Sequence, residues 1–396
     1  MPAPADGSRR AMQVVHVIRS CDPRGGGPIE AIRQLARTCG GDWRFPVVCT
    51  DPPDAPWIPR LELEIVAAGP ARGRYAYAPR LRAELTRMIS GAEAVVIHGL
   101  WLYPNHLAAR LCRSAAVPYL VYVHGMLDPA FRRLFPLRHA AKTVSWRLFD
   151  RRMLERAAAV LFTCEEERRL APRSLGPFRA RTEIVPYTVG EPPGQAEEQR
   201  NLFYRRFPRC RRQRLVLFLS RLHPKKGCDL LIRAFARAMA DDNRFHLVMA
   251  GPGAEEWVGT LRRLADTLRI QSRITWTGML TGDIKWGAFH SAEVFVLPSH
   301  QENYGIAVVE ALACSVPVLI TDRVNIWREI QTDGAGLVCR DTVDSLADVL
   351  RQWMSLTEED RVAYRSAAHR CYATRFDSRA AAGRFQDVVN ASIVRG

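Results

Sequence analysis

Across 396 residues there is no C-x-x-C pair, although ten cysteines are present. Structural zinc sites and redox motifs rely on paired spacing. Scattered thiols argue against both, and for free cysteines in a reducing cytosol. No apolar run approaches membrane-span length; AAAVLF, residues 157–162, is among the longest and suits a strand. The opening MPAPADGSRR leads into no apolar h-region. Residues 1–10 therefore read as a flexible lead and not as a signal peptide. There is no D-x-D between apolar flanks, and hence no carboxylate pair placed for a Mg²⁺–diphosphate site. G-x-S-x-G, H-E-x-x-H and a Walker lysine are all missing. So are helix-turn-helix, RRM and zinc-finger patterns, which leaves nucleic acid without a reading module. Acidic residues are scarce beside basic ones, 41 Asp and Glu against 57 Lys and Arg, for a net charge of +16. That balance favours an anionic partner such as a phosphorylated substrate or an acidic membrane face.

What is present is an α/β chain too long for one core. Its length suits two domains, and its 47% hydrophobic content is that of a globular protein. Short β-branched apolar runs at 12–18, 45–49, 63–66, 93–97, 119–123, 160–162 and 183–185 alternate with helical periods. Pro28 opens one helix and Gly40–Gly41 closes it. The pattern breaks at GEPPGQAEE, residues 190–198, and resumes with strands at 215–219, 245–250, 274–276, 294–297, 316–320 and 336–338. Such alternation predicts parallel sheets covered on both faces. The expected division is 11–190 for the first domain, 191–213 for a linker, 214–375 for the second domain and 376–396 for a last helix.

Part of the charge is concentrated. Between residues 131 and 157 lie Arg132, Arg133, Arg138, Lys142, Arg147, Arg151, Arg152 and Arg156, against only Asp150 and Glu155. Phe131, Leu134, Phe135, Leu137, Trp146, Leu148 and Phe149 interleave with them. Two readings stand: a solvated helix face, or a peripheral contact in which aromatics enter an anionic membrane interface.

The most telling stretch is VFVLPSHQENYGIAVVEALACSVPV, residues 294–318. A buried strand feeds a polar loop, a helix opens at Gly305, and a second buried strand follows. Glu302 and Glu310 flank the helix start as E-x7-E. A helix N-terminus attracts phosphate, and a carboxylate beside it can accept hydrogen bonds from sugar hydroxyls. The place, where a strand ends and a helix begins, is where open α/β sheets bind ligands. The run H-Q-E-N-Y-G-x4-E-A-L-A-C-x-x-P-V resembles the signature of the retaining GT-B glycosyltransferases of family 4. It departs at Ser315, where the family usually has Gly, and at Tyr304, where Phe is commoner.

That resemblance implies two Rossmann-like, doubly wound domains facing across a cleft, with the last helix crossing back to the first. It also gives other loops a meaning. Read alone, RLHPKKG, residues 221–227, is a basic loop that any Arg- and Lys-rich chain could carry. By resemblance, Arg221 and Lys226 grip the donor diphosphate, with Ser220 in place of the usual Gly. AGPG, residues 250–253, is equally a tight turn or a close approach at Gly251. Gly278 and Met279 follow the strand ITWT; the family's loop there meets the base through its backbone. Glu310 would take ribose hydroxyls and Glu302 hexose hydroxyls, with Asn303, Tyr304, Gly305 and Ile306 completing the donor pocket.

In the first domain RGGGP, residues 24–28, joins strand one to helix one. It could cradle a phosphate but is neither G-x-G-x-x-G nor a P-loop. The family has a Gly pair near donor phosphate and acceptor at this point, which puts Gly26 and Gly27 there. His98–Gly99 and His124–Gly125 both end strands. Each histidine is structural or functional on the sequence alone. The HGMLDP run resembles an acceptor-side element of a bacterial branch, where a His touches the transferred sugar; this favours His124, with His98 and Asp128 beside it.

The resemblance therefore implies transfer of a hexosyl group, with retention, from a nucleotide-diphosphate sugar. The expected catalytic set is Glu302, His124, Arg221 and Lys226, with no metal and no cofactor. Cytosolic thiols and surplus positive charge point to a lipid-linked saccharide acceptor at the inner membrane face, in exopolysaccharide, O-antigen or capsule assembly. A soluble small-molecule acceptor is the alternative. A basic nucleic-acid-binding protein is the reading from another class, and charge alone supports it.

Overall fold

The computed structural model describes residues 11–25, 27–129, 136–238, 242 and 244–394. The chain divides into two compact units, one of Met1–Thr188 with Ser378–Gly396 and one of Val189–Asp377.

In the first unit the strands are β1 (Met12–Val17), β2 (Trp43–Arg44), β3 (Val47–Cys49), β4 (Ile65–Ala67), β5 (Ala94–His98), β6 (Tyr119–Tyr122), β7 (Ala159–Phe162) and β8 (Thr182–Ile184). Among the described residues they form one parallel sheet in the order β4-β3-β1-β5-β6-β7-β8, with β2 beside β1. Val14, Val15, Val95, Val96, Leu120 and Val121 are wholly buried because both faces of the sheet are covered. One cover is the last helix, Ser378–Ile393, whose Ala382, Phe385, Val388 and Val389 share a core with Val14, Val96 and Leu161.

The second unit holds β9 (Arg214–Leu219), β10 (Phe245–Ala250), β11 (Ile274–Gly278), β12 (Ala292–Leu297), β13 (Val318–Thr321) and β14 (Gly336–Cys339). Their order is β11-β10-β9-β12-β13-β14, all parallel. Counted within the unit, this is the 3-2-1-4-5-6 order of a doubly wound sheet. The order reverses between β9 and β12, so the loops leaving these two strands open a crevice at the sheet's carboxyl edge.

The stretch expected to be a linker is not one. Residues 196–206 form the helix Ala196–Arg206 of the second unit, with Gln199 and Phe203 buried. It lies against the helix Gly282–Ser291 so closely that a Cβ at Gly287 would run into the Gln199 carbonyl oxygen. Gln199 Nε2 donates to Asp283 Oδ1 at 2.9 Å. Phe203, Gln199 and the close backbone approach hold the helix, and a single fully buried apolar side chain makes no period to be read.

Candidate functional site

The donor-side candidates gather at the carboxyl edge of the second sheet. After β9 the chain makes a short turn, Pro224–Lys226, capped by His223, whose ring accepts from Lys225 N at 3.1 Å. Gly227 follows with φ 64°, and a Cβ there would strike the Pro298 carbonyl oxygen in the loop after β12. The two loops of the reversal point thus touch backbone to backbone, and His300 N donates to Lys225 O at 2.9 Å. This closeness brings Lys226 and Glu302 together as an ion pair through Nζ and Oε2, both largely buried.

Glu302 is also fixed through its backbone. Its N–H donates to Arg323 O, and its carbonyl accepts from Asn325 N, each at 3.0 Å. Asn303 Oδ1 accepts from Asn325 Nδ2 at 3.5 Å. Gly305 precedes the helix Ile306–Ala313, which carries the second carboxylate of E-x7-E, Glu310, paired with Lys285 Nζ at 2.5 Å. Both carboxylates of E-x7-E therefore sit against a lysine. Arg221 is exposed and has no carboxylate partner among the described residues. Arg221, Lys225 and Lys226 all lower the His223 pKa, after burial. A neutral imidazole among three cations marks a region of positive potential, which suits a diphosphate. Gly251 donates to Gly278 O at 2.8 Å, joining the loops after β10 and β11, and Met279 lies exposed beside them.

Tyr304 departs from expectation. Its ring is buried, edge-on to Phe376 with centroids 6.0 Å apart, so the side chain belongs to the core. Sequence reasoning missed Lys285, His223 and Asn325; the first lies in a helix with little amphipathic pattern, the others in loops.

The acceptor-side candidates lie in the first unit. His124 follows β6 with φ 52°, a left-handed conformation that is costly for a side-chain-bearing residue. Its ring stacks on His98 (5.0 Å, 12°) and on Tyr122 (5.1 Å, 8°). Four groups form a hydrogen-bonded column. His16 Nδ1 meets His98 Nε2 at 2.8 Å, His98 Nδ1 meets His124 Nε2 at 2.8 Å, and His124 Nδ1 meets the Tyr187 hydroxyl at 2.5 Å. A neutral imidazole has one donor and one acceptor nitrogen, so the tautomers must all run in one sense. Burial holds all three histidines neutral, pushing His98 down to about 3 and His16 and His124 well below their usual value. Sequence reasoning marked His98 and His124 at strand ends and missed His16 within β1.

Asp128 is buried, and its N–H donates to Gly125 O at 3.1 Å. A buried carboxylate that the sequence did not flag, Glu167, fixes this corner by accepting from Gly125 N (2.5 Å) and Thr163 N (2.7 Å). Gly27 starts the helix Gly27–Cys39; Gly26 lies outside the described residues. Among the described residues, the group with metal-ligand chemistry is Cys21, Cys49 and Asp51, whose ligand atoms lie within 4.8 Å of one another. Asp51 already accepts from Ser20 Oγ (2.7 Å) and Cys21 N (2.6 Å), and a hydrogen bond with Cys49 and burial push the Cys21 thiol well up.

Of the segment 131–157, residues 131–135 lie outside the described residues. The rest forms Pro136–Ser145, a wide turn Trp146–Asp150 and the helix Arg151–Glu155. Trp146 and Leu154 are buried, while Val144, Leu148 and Phe149 are exposed among Arg147, Arg151 and Arg152. No helix among the described residues is long and apolar enough to cross a membrane.

Two family descriptions match the chain: "Glycosyl transferases group 1" over residues 204–370 and "Glycosyl transferase 4-like domain" over residues 26–188. The chain belongs to the group 1, family 4-like glycosyltransferases. It is a nucleotide-sugar-dependent transferase on the GT-B fold. It is 25% identical, over 96% of its length and 97% of the relative's, to the GDP-mannose:cellobiosyl-diphosphopolyprenol alpha-mannosyltransferase of Xanthomonas campestris. A GDP-mannose-dependent alpha-(1-6)-phosphatidylinositol monomannoside mannosyltransferase of Mycobacterium tuberculosis is 33% identical over 178 residues, 42% of this glycosyltransferase and 45% of that protein. In fold it is similar to Anabaena HepE, solved with UDP and glucose (TM-score 0.77, 16% identity, 96% of this chain and 100% of that one). It is also similar to WaaG, a glycosyltransferase involved in lipopolysaccharide biosynthesis (TM-score 0.68, 16% identity, 95% and 99%).

Proposed function

We propose that this glycosyltransferase moves a hexosyl group, with retention and without a metal, from a nucleotide-diphosphate sugar to a lipid-linked saccharide in bacterial polysaccharide assembly. The observation that carries the reading is the pair of carboxylate–lysine contacts, Glu302–Lys226 and Glu310–Lys285, on either side of a helix start at the reversal point of the sheet. Arg221, Lys226 and the helix start face the diphosphate; Glu310 takes the ribose hydroxyls and Glu302 the hexose. As the glycosidic bond breaks, the leaving diphosphate gains charge that Arg221 and Lys226 offset. Each such donor is typically worth about 2.7–4 kcal/mol in the transition state. The departing phosphate takes the proton of the incoming hydroxyl on the same face of the sugar, so Glu302 positions the ring and is not a nucleophile.

A lipid-linked acceptor is favoured because the relative named for a cellobiosyl-diphosphopolyprenol acceptor matches across almost the whole chain. Val144, Leu148 and Phe149, exposed among arginines, support the reading of a peripheral enzyme at the anionic inner membrane surface, for which they would supply an apolar and cationic face. The test is thermal unfolding with UDP-, GDP- and ADP-sugars. A ligand at a hundredfold over its dissociation constant adds about 2.7 kcal/mol, a clear upward shift. A flat response to all three would sink the reading.

A further inference from the structure

An aromatic cluster in the first unit lies outside every residue assigned so far. The hairpin at residues 72–77 is closed by Arg72 N to Tyr77 O (2.7 Å) and Tyr77 N to Arg72 O (3.1 Å). Ala76, fully buried, holds φ 58°, a strained conformation that persists only when its surroundings impose it. The residues on either side of it are exposed, Tyr75 at 47% and Tyr77 at 46%. Tyr103 N donates to Tyr75 O at 2.8 Å, and the Tyr103 ring meets those of Tyr77 (5.0 Å) and Tyr75 (5.9 Å). The three tyrosines follow β4 and β5 at the carboxyl edge of the sheet, where doubly wound sheets bind ligands.

A buried relay fixes the most exposed of them. The Tyr75 hydroxyl meets His106 Nδ1 at 2.8 Å, and His106 Nε2 meets Asp150 Oδ1 at 2.9 Å. Asp150 is completely buried and also accepts from Trp101 N (2.9 Å) and Ser145 Oγ (2.5 Å). A carboxylate only accepts, so in the neutral imidazole Nε2 carries the proton and Nδ1 accepts from the tyrosine. The Tyr75 oxygen then keeps its lone pairs for a donor outside.

We propose that Tyr75, Tyr77 and Tyr103 form a platform for a pyranose ring of the acceptor saccharide, with Asp150 and His106 as positioning residues for Tyr75. Rigid phenols offer an apolar face to the C–H side of a sugar and a polar rim to its hydroxyls. A bilayer needs no fixed hydroxyl, and this distinguishes the platform from the neighbouring face at Val144, Leu148 and Phe149. Arg72 and Arg74, exposed on the same hairpin, supply cations for an acceptor that carries a diphosphate. The inference rests on reading the first unit as the acceptor side.

The experiment titrates the full chain with cellobiose, read by saturation-transfer NMR, alongside binding to phosphatidylglycerol vesicles. Tyr77→Ala and Tyr75→Ala should each weaken cellobiose binding tenfold or more. Tyr75→Phe should cost under fivefold because the ring stays, and His106→Ala should match Tyr75→Phe in affinity while broadening the Tyr75 signals. Unchanged melting temperatures identify folded variants, and the exposed Tyr77 suffices alone if Tyr75→Ala unfolds. Cellobiose that ignores the wild type, or binds it and the Tyr77 variant equally, overturns the platform. So does a variant that loses vesicle binding and keeps cellobiose. A chain that takes cellobiose here yet responds to no nucleotide sugar would instead defeat the proposed function alone.

Discussion

His16, His98 and His124 differ from exposed histidines in one consequential way: their column has no room for a charge. Folded, their pKa values lie far below the usual 6.5, with His98 near 3. Unfolded, each takes up a proton as pH falls through about 6.5. The unfolded chain thus binds more protons than the folded one between about pH 6.5 and 3. Stability is complete above that window and falls as pH drops into it, by about 1.4 kcal/mol per pH unit for each proton. Urea unfolding at pH 7 and 5 should show this loss, and His16→Phe should lessen the slope. Equal stability at the two pH values would mean that the column opens to water. From sequence, only the two strand-end histidines could be singled out. His16 sits mid-strand, and the pairing β1–β5–β6 that aligns the three rings is a property of the sheet.

Among the elements, the helix Ile306–Ala313 shows what local pattern can and cannot reveal. Its start was legible from Gly305 and its ends from flanking strands, and the departure from the family at Ser315 has a structural counterpart. Ser315 stands at φ 58°, with Ser315 N donating to Leu312 O and Val316 N to Ala311 O, both at 2.9 Å. These bonds are those of a Schellman cap, whose left-handed position favours glycine. A left-handed conformation costs a side-chain-bearing residue about 1–2 kcal/mol, and glycine gives part of that back through unfolded-chain entropy. Ser315→Gly should therefore raise the melting temperature by about 2 °C, from roughly 0.5–1 kcal/mol in a unit of this size. A fall would show that the serine side chain makes a compensating bond. Elsewhere the helix Ala196–Arg206 was illegible, because Phe203 is its one fully buried apolar side chain and Gln199 and the bare backbone at Gly287 share the packing. Tyr304 sits within the signature, yet its ring is buried in the core.

At the scale of the whole molecule, most strands were readable because parallel strands buried on both faces are short continuous apolar runs. The strand order was not readable, yet order decides chemistry here. With β9 beside β12, residues 221–227 and 298–305 become neighbours, and Lys226 meets Glu302 across 76 positions of sequence. On the proposed function, this meeting point handles a sugar-nucleotide diphosphate through cations of the chain. The most direct measurement is turnover of the preferred nucleotide sugar in EDTA, for the wild type and for Arg221→Ala and Lys226→Ala. The wild type should keep its activity. Each variant, still folded, should lose about a hundredfold or more, the scale set by removing one donor to a developing negative charge. Wild-type activity abolished by EDTA and restored by Mn²⁺, or variants that turn over like the wild type, would contradict it.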